Sequence, residues 1–145
     1  MDDTRPLLFR LGVPKPISCK VLEGVAAVGN TRQCTTDRGT IDQRILILQP
    51  DERLRYQMQK STVWCADWVG LLVDTFELRE VPGRGTEVRR TTQFEAAGNL
   101  RWAKGLGLWA GLRQAHAYAS RNWRRLAMQA QLAEAQARLN GVPMR

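Results

Sequence analysis

Thr86-Glu87-Val88-Arg89-Arg90-Thr91-Thr92-Gln93-Phe94-Glu95 alternates residue by residue, with Val88, Arg90, Thr92 and Phe94 set against Glu87, Arg89, Thr91 and Gln93. Ala96-Ala97-Gly98-Asn99 breaks that rhythm, and from Leu100 to about Leu139 the apolar residues return at helical spacing. One change from a period of two to a period of 3.6 predicts a strand followed by a single long helix. Asn99 is the expected N-cap, because its side chain can accept a bond from an unpaired amide of the first helical turn.

Upstream, the same alternation predicts strands over Ile17–Leu22, Val28–Thr36, Thr40–Gln49, Arg53–Lys60 and Gly70–Val81. Turn signals separate them: Glu23-Gly24, Thr36-Asp37-Arg38-Gly39, Pro50-Asp51-Glu52 and Pro82-Gly83-Arg84-Gly85. In the third strand Ile41, Gln43, Ile45 and Ile47 should share one face. In the fourth, Leu54, Tyr56 and Met58 oppose Arg53, Arg55, Gln57 and Gln59, the pattern of a strand with one wet face. In the fifth, Leu72, Asp74, Phe76 and Leu78 share a face. Strands first and one helix last predict an α+β fold, a curved antiparallel sheet of about six strands packed on one long C-terminal helix. Residues 1–127 should form a single domain and 128–145 a helical extension and tail. Near the start, Pro6, Pro14 and Pro16 leave room for one helical turn around Leu7–Leu11.

On a helical wheel Trp102, Leu106, Trp109, Leu112, His116, Ala119, Trp123 and Ala127 fall on one face, opposite Gln114, Arg121 and Arg125. Gly105, Gly107 and Gly111 weaken the first part, each by about 1 kcal/mol against alanine, and suit a helix that sits close to the sheet. Met128, Leu132, Ala135 and Leu139 form a second, rotated stripe that either packs on a partner or frays.

With 145 residues the chain fits one core. Its net charge of +8 fits either contact with an anionic surface or a solvated basic exterior. The arginines are dispersed, which argues against nucleic acid and leaves peripheral membrane contact open. Cys19, Cys34 and Cys65 are far apart, lack a CxxC pair and stand far from the one histidine. They read as buried reduced thiols in a cytoplasmic protein, with no metal site and no cofactor. No apolar leader follows Asp2-Asp3.

The runs Gly12-Val13-Pro14-Lys15-Pro16, Gly29-Asn30-Thr31-Arg32-Gln33-Cys34, Arg38-Gly39-Thr40 and Gln49-Pro50 resemble the polyketide cyclase/dehydrase-like members of the START/Bet v 1 (SRPBCC) superfamily, over most of residues 12–127. The resemblance implies a helix-grip fold around a hydrophobic ligand pocket. Members include cyclases and carriers of lipids or other apolar ligands. Six strands are counted here where the family has seven, and residues 1–16 are too short for the family's opening strand and two helices. The missing first strand would lie beside Thr86–Glu95, so that strand is expected to be an exposed edge, with a homodimer through residues 86–95 as one way to cover it. Gln43 stands where relatives often carry a carboxylate, which speaks against a glutamate-dependent acid/base role at that position.

Tyr56, Met58, Phe76, Phe94 and Trp109 are candidates for a cavity wall, together with His116; the same residues would equally fill a solid core. His116 is the candidate general acid/base, or else a packed helix histidine. Among Arg32, Arg44 and Arg90, an inward-facing arginine could hold a carboxylate or enolate oxygen, and Asp42 or Asp74 could act as a base if buried. No nucleophile elbow, P-loop or dinucleotide fingerprint is present. The expected function is binding of a hydrophobic small molecule or lipid between sheet and helix. A cyclase/dehydrase-type enzyme is one alternative. A basic module using Arg121, Arg124 and Arg125 on nucleic acid or a membrane surface is another.

Overall fold

The computed structural model describes residues 12–139. Six strands, β1 (Pro16–Val21), β2 (Thr31–Thr36), β3 (Gly39–Gln49), β4 (Arg53–Ser61), β5 (Val69–Val81) and β6 (Gly85–Ala96), pair antiparallel in chain order. A short 3-10 turn (Ala66–Trp68) joins β4 to β5, and helix α1 (Arg101–Leu139) closes the chain. The sheet curls as a half-barrel against α1, the α+β, helix-grip-like arrangement that the element order implies. The helical turn expected around Leu7–Leu11 and the tail beyond Leu139 lie outside the described residues.

Turn chemistry sets the register. Asp37 and Arg38 form the loop between β2 and β3, with Thr36 opposite Gly39. Gly39 has φ +138°, and a β-carbon there would stand 2.7 Å from Thr62 Oγ1 and 3.1 Å from Thr62 backbone. Both the conformation and the space exclude a side chain. Gly39→Ala is therefore expected to cost about 2 kcal/mol, read as a lower urea midpoint at unchanged m-value. A midpoint equal to the native one would refute this account of the hairpin.

Two irregularities in the β3–β4 ladder change which side chains face inward. The register shifts between Asp42 and Gln43 and again between Ile45 and Ile47. Gln43 still shares a face with Met58, and Ile45 with Tyr56, but Ile47 stands opposite Arg55 on the convex side and Leu48 joins Leu54 on the concave side. Strict alternation puts Ile47 on the same face as Gln43 and Ile45. A bulge inserts one residue and flips everything beyond it, and periodicity alone does not show where that happens.

The β1–β2 connection is longer than the expected Glu23-Gly24 turn. Strand β2 begins at Thr31 rather than Val28, and the Gly29 amide and Asn30 carbonyl bond instead to Ile45 of β3. The cysteine expectation is corrected as well. Cys19 and Cys34 stand opposite each other in the β1–β2 ladder and form a disulfide, while Cys65 is free and half-buried. Burial pushes the Cys65 thiol up from its ordinary value. The pairing depends on register across fifteen residues of chain, which cysteine spacing does not disclose.

The helix begins one residue later than expected. The Leu100 carbonyl accepts from the Lys104 amide, so Leu100 is the cap residue in place of Asn99. Its inward face is also rotated from the expected stripe over the first three turns. Trp102, Leu106 and Trp109 are exposed, and Leu108 is the buried helix residue. Small residues explain the rotation. A β-carbon on Gly107 would stand 3.1 Å from the Trp68 ring, and one on Gly111 3.7 Å from Val13. A tryptophan turned inward would hold the helix away, so the glycine face goes in and the tryptophan face goes out. From Leu112 to Trp123 the stripe matches, with Leu112, Ala119 and Trp123 facing the sheet, whereas Ala127, its expected last member, is exposed. Residues 124–136 are exposed, and so is Leu139, so the whole second stripe is exposed. Among the described residues, no strand lies on the outer side of β6, and no helix is long and apolar enough to cross a membrane.

Candidate functional site

The concave face of the sheet and the inner face of α1 do not fill the space between them. Among the described residues the buried apolar side chains are Cys34, Ile45, Tyr56, Val63, Val73 and Leu108, and no large side chain is fully buried. What is left is an open cavity of about 970 Å³, at the upper end of the roughly 300–1,000 Å³ usual for small-molecule sites. Its walls are mostly apolar. Strands β3 to β6 contribute Ile41, Leu54, Met58, Leu72, Phe76, Leu78 and Val88, the β4–β5 connection Val63, Trp64 and Trp68, and the helix Leu108, Leu112 and Trp123. Tyr56, Phe76 and Trp123 run across the cavity as a chain of rings with successive centroids 5.6 Å apart.

Polar groups enter that apolar wall at a few positions. Arg32, Gln43, Tyr56, Asp74 and Arg90 all line the cavity. Asp74 is buried. It accepts from Arg90 Nη2 at 3.0 Å and Arg90 Nε at 3.3 Å, and from the Thr92 hydroxyl. Thr92 Oγ1 lies 2.7 Å from His116 Nε2. The threonine has one proton, and it goes to Asp74, so His116 must donate Nε2–H to the threonine oxygen. This fixes the neutral tautomer with its proton on Nε2. The Arg90 guanidinium also stacks 5.1 Å from the Phe76 ring centre. Burial pushes the Tyr56 phenol up from its ordinary value; Arg32 opposes that shift and Asp74 adds to it.

His116 is held below the ordinary imidazole range, first by burial and then by the Arg90 charge, with Asp74 partly offsetting both. The sign of the linkage follows. Above the unfolded-state value of about 6.5 the histidine is neutral in both states; below it the unfolded chain takes up the proton first. Stability should therefore fall as pH drops below about 6.5 and level off once the folded histidine also protonates. His116→Gln should remove that limb from stability-versus-pH curves. A limb that persists unchanged in the variant would assign it to another group.

The expected site residues divide. Tyr56, Met58 and Phe76 line the cavity; Phe94, Trp109 and His116 do not. Phe94 lies opposite Leu72 in the β5–β6 ladder. Trp109 is exposed, with Arg113 stacked 5.3 Å from its ring centre. His116 stands behind the wall, joined to Asp74 through Thr92. Of the strand arginines, Arg32 and Arg90 face inward, while Arg44 is exposed with Nε 3.4 Å from the Gly29 carbonyl. Asp74 faces inward, and Asp42 pairs with Gln33. The β4–β5 connection was not expected to contribute. Its paired tryptophans, Trp64 and Trp68, were the available signal; they stack edge to face at 5.1 Å, and Trp64 Nε1 donates to the Gly12 carbonyl at 2.7 Å. Among the described residues no cluster of three or more His, Cys, Asp or Glu could hold a metal ion.

Fold and cavity together define a class: a curled antiparallel sheet gripping one helix around a largely apolar hollow. No family model and no curated protein matches the chain.

Proposed function

We propose that this chain binds a hydrophobic small molecule or lipid in the cavity between sheet and helix. The observation that carries the reading is the hollow core itself. A chain of this size gains most of its stability by filling its interior, yet here the largest rings border open space. Leaving apolar walls wet forfeits roughly 25 cal/mol per Å², and an apolar ligand would recover that. The helix-grip-like arrangement also supports the resemblance to the START/Bet v 1 superfamily, in which such hollows hold ligands.

Native mass spectrometry of protein purified from its host tests the reading. A co-purifying apolar molecule that is released on denaturation is the expected result. An empty chain that also fails to bind the neutral dye Nile red would overturn it.

A cyclase/dehydrase-type activity is the second reading, favoured by the convergence of Arg32, Tyr56 and Arg90 on one apolar space. Two guanidiniums there would suit the oxygen of an enolate. Asp74, a carboxylate on that wall, is already bonded to Arg90 and Thr92, so its oxygens are engaged within the wall, and binding is the first reading.

A further inference from the structure

The two inward arginines are not equivalent. Arg90 is matched by Asp74 at 3.0 Å. Arg32 has no carboxylate partner among the described residues, whose ion pairs are Arg53–Glu77 and Arg90–Asp74. Its Nε and Nη2 instead lie 3.3 and 3.1 Å from Cys34 and Cys19 Sγ, and sulfur is a weak acceptor. Its guanidinium carbon stacks 4.5 Å from the Tyr56 ring centre, which orients the group without neutralising it. Directly across the β2–β3 ladder stands Gln43, buried and uncharged. Among the described residues the cavity lining thus carries two arginines against one aspartate, an excess of one positive charge at Arg32.

We infer that the cavity takes an amphipathic monoanion, with its carboxylate on Arg32 and its apolar body along Tyr56, Phe76 and Trp123. This inference rests on the cavity-binding reading above and names the ligand class. A half-buried guanidinium that has exchanged water for sulfur, a ring face and a hydrogen bond with the neutral Tyr56 side chain still lacks a countercharge. A carboxylate supplies what is missing, since the planar fork accepts one in two parallel bonds. The disulfide and Tyr56 hold the fork in place, so little side-chain freedom is lost on binding. The ring chain then offers the apolar body a continuous surface.

The test is displacement of Nile red from the full chain at pH 7 by dodecanoate and by 1-dodecanol, which share an apolar chain and differ in charge. Dodecanoate should bind roughly tenfold or more tightly than the alcohol, the scale of one charge-assisted pair. Arg32→Met should remove that preference, so that dodecanoate binds no more tightly than dodecanol. Gln43→Glu keeps Arg32 and sets a carboxylate opposite it; it should likewise weaken dodecanoate about tenfold relative to dodecanol. It serves as the second variant if Arg32→Met does not fold. Equal affinity for acid and alcohol in the native chain, or a preference that survives Gln43→Glu, would overturn the inference while leaving cavity binding intact. Failure of Nile red and of both competitors to bind would overturn cavity binding and this inference together.

Discussion

Asp74→Ala is expected to lower the unfolding free energy by about 3 kcal/mol, the low end of the range for removing one member of a buried ion pair. Asp74 has 4% of its side chain exposed and Arg90 22%, so the aspartate is shielded more than its partner. Removing the carboxylate leaves Arg90 facing an apolar wall, takes the acceptor from the Thr92 hydroxyl and unlinks His116. The loss therefore exceeds that of a single hydrogen bond, about 1 kcal/mol. Partial exposure of Arg90 lets water reach it, which keeps the cost at the low end. The double replacement Asp74→Ala with Arg90→Met should regain much of the loss, because no charge is then stranded. Urea unfolding followed by tryptophan fluorescence measures both. An Asp74→Ala chain within about 1 kcal/mol of native would show that the network contributes little to stability.

Leu108→Ala is expected to cost about 3 kcal/mol, and Leu132→Ala less than about 0.5 kcal/mol. Both are leucines of one continuous helix. Leu108 is its buried residue among those described, where Gly107 and Gly111 bring the backbone close to Trp68 and Val13. Truncating it opens a gap where α1 comes closest to the β4–β5 connection. Leu132 is 69% exposed on the part of the helix beyond the sheet, so its truncation removes little packing. Thermal unfolding at two protein concentrations measures the pair. If Leu132→Ala destabilised as much as Leu108→Ala, with a midpoint that moved with concentration, the second stripe would be an interface between copies.

Local rules made much of this architecture legible. The strands of the fourth, fifth and sixth runs fall where alternation places them, and the inward set Leu72, Asp74, Phe76 and Leu78 is the set that lines the cavity. Gly39, Pro50-Asp51 and Gly83-Arg84-Gly85 mark their turns because positive φ is a property of the residue and its neighbours. The site was less legible. Tyr56, Met58 and Phe76 were found because strand period assigns a face. Trp109 was misplaced because a helical wheel ranks faces by apolarity, whereas α1 docks by the face that allows the closest approach.

What the sequence determined by itself is the order of elements, their count and the faces of its regular strands, since these follow from side-chain period and turn chemistry within a few residues. Tertiary structure alone decided the Cys19–Cys34 pairing, the inversion of Ile47 and Leu48, the rotation of α1 and the match of Asp74 to Arg90 rather than to Arg32. Each of these depends on register or close approach between segments distant in the chain, and packing in three dimensions selects among arrangements that local preference leaves equal.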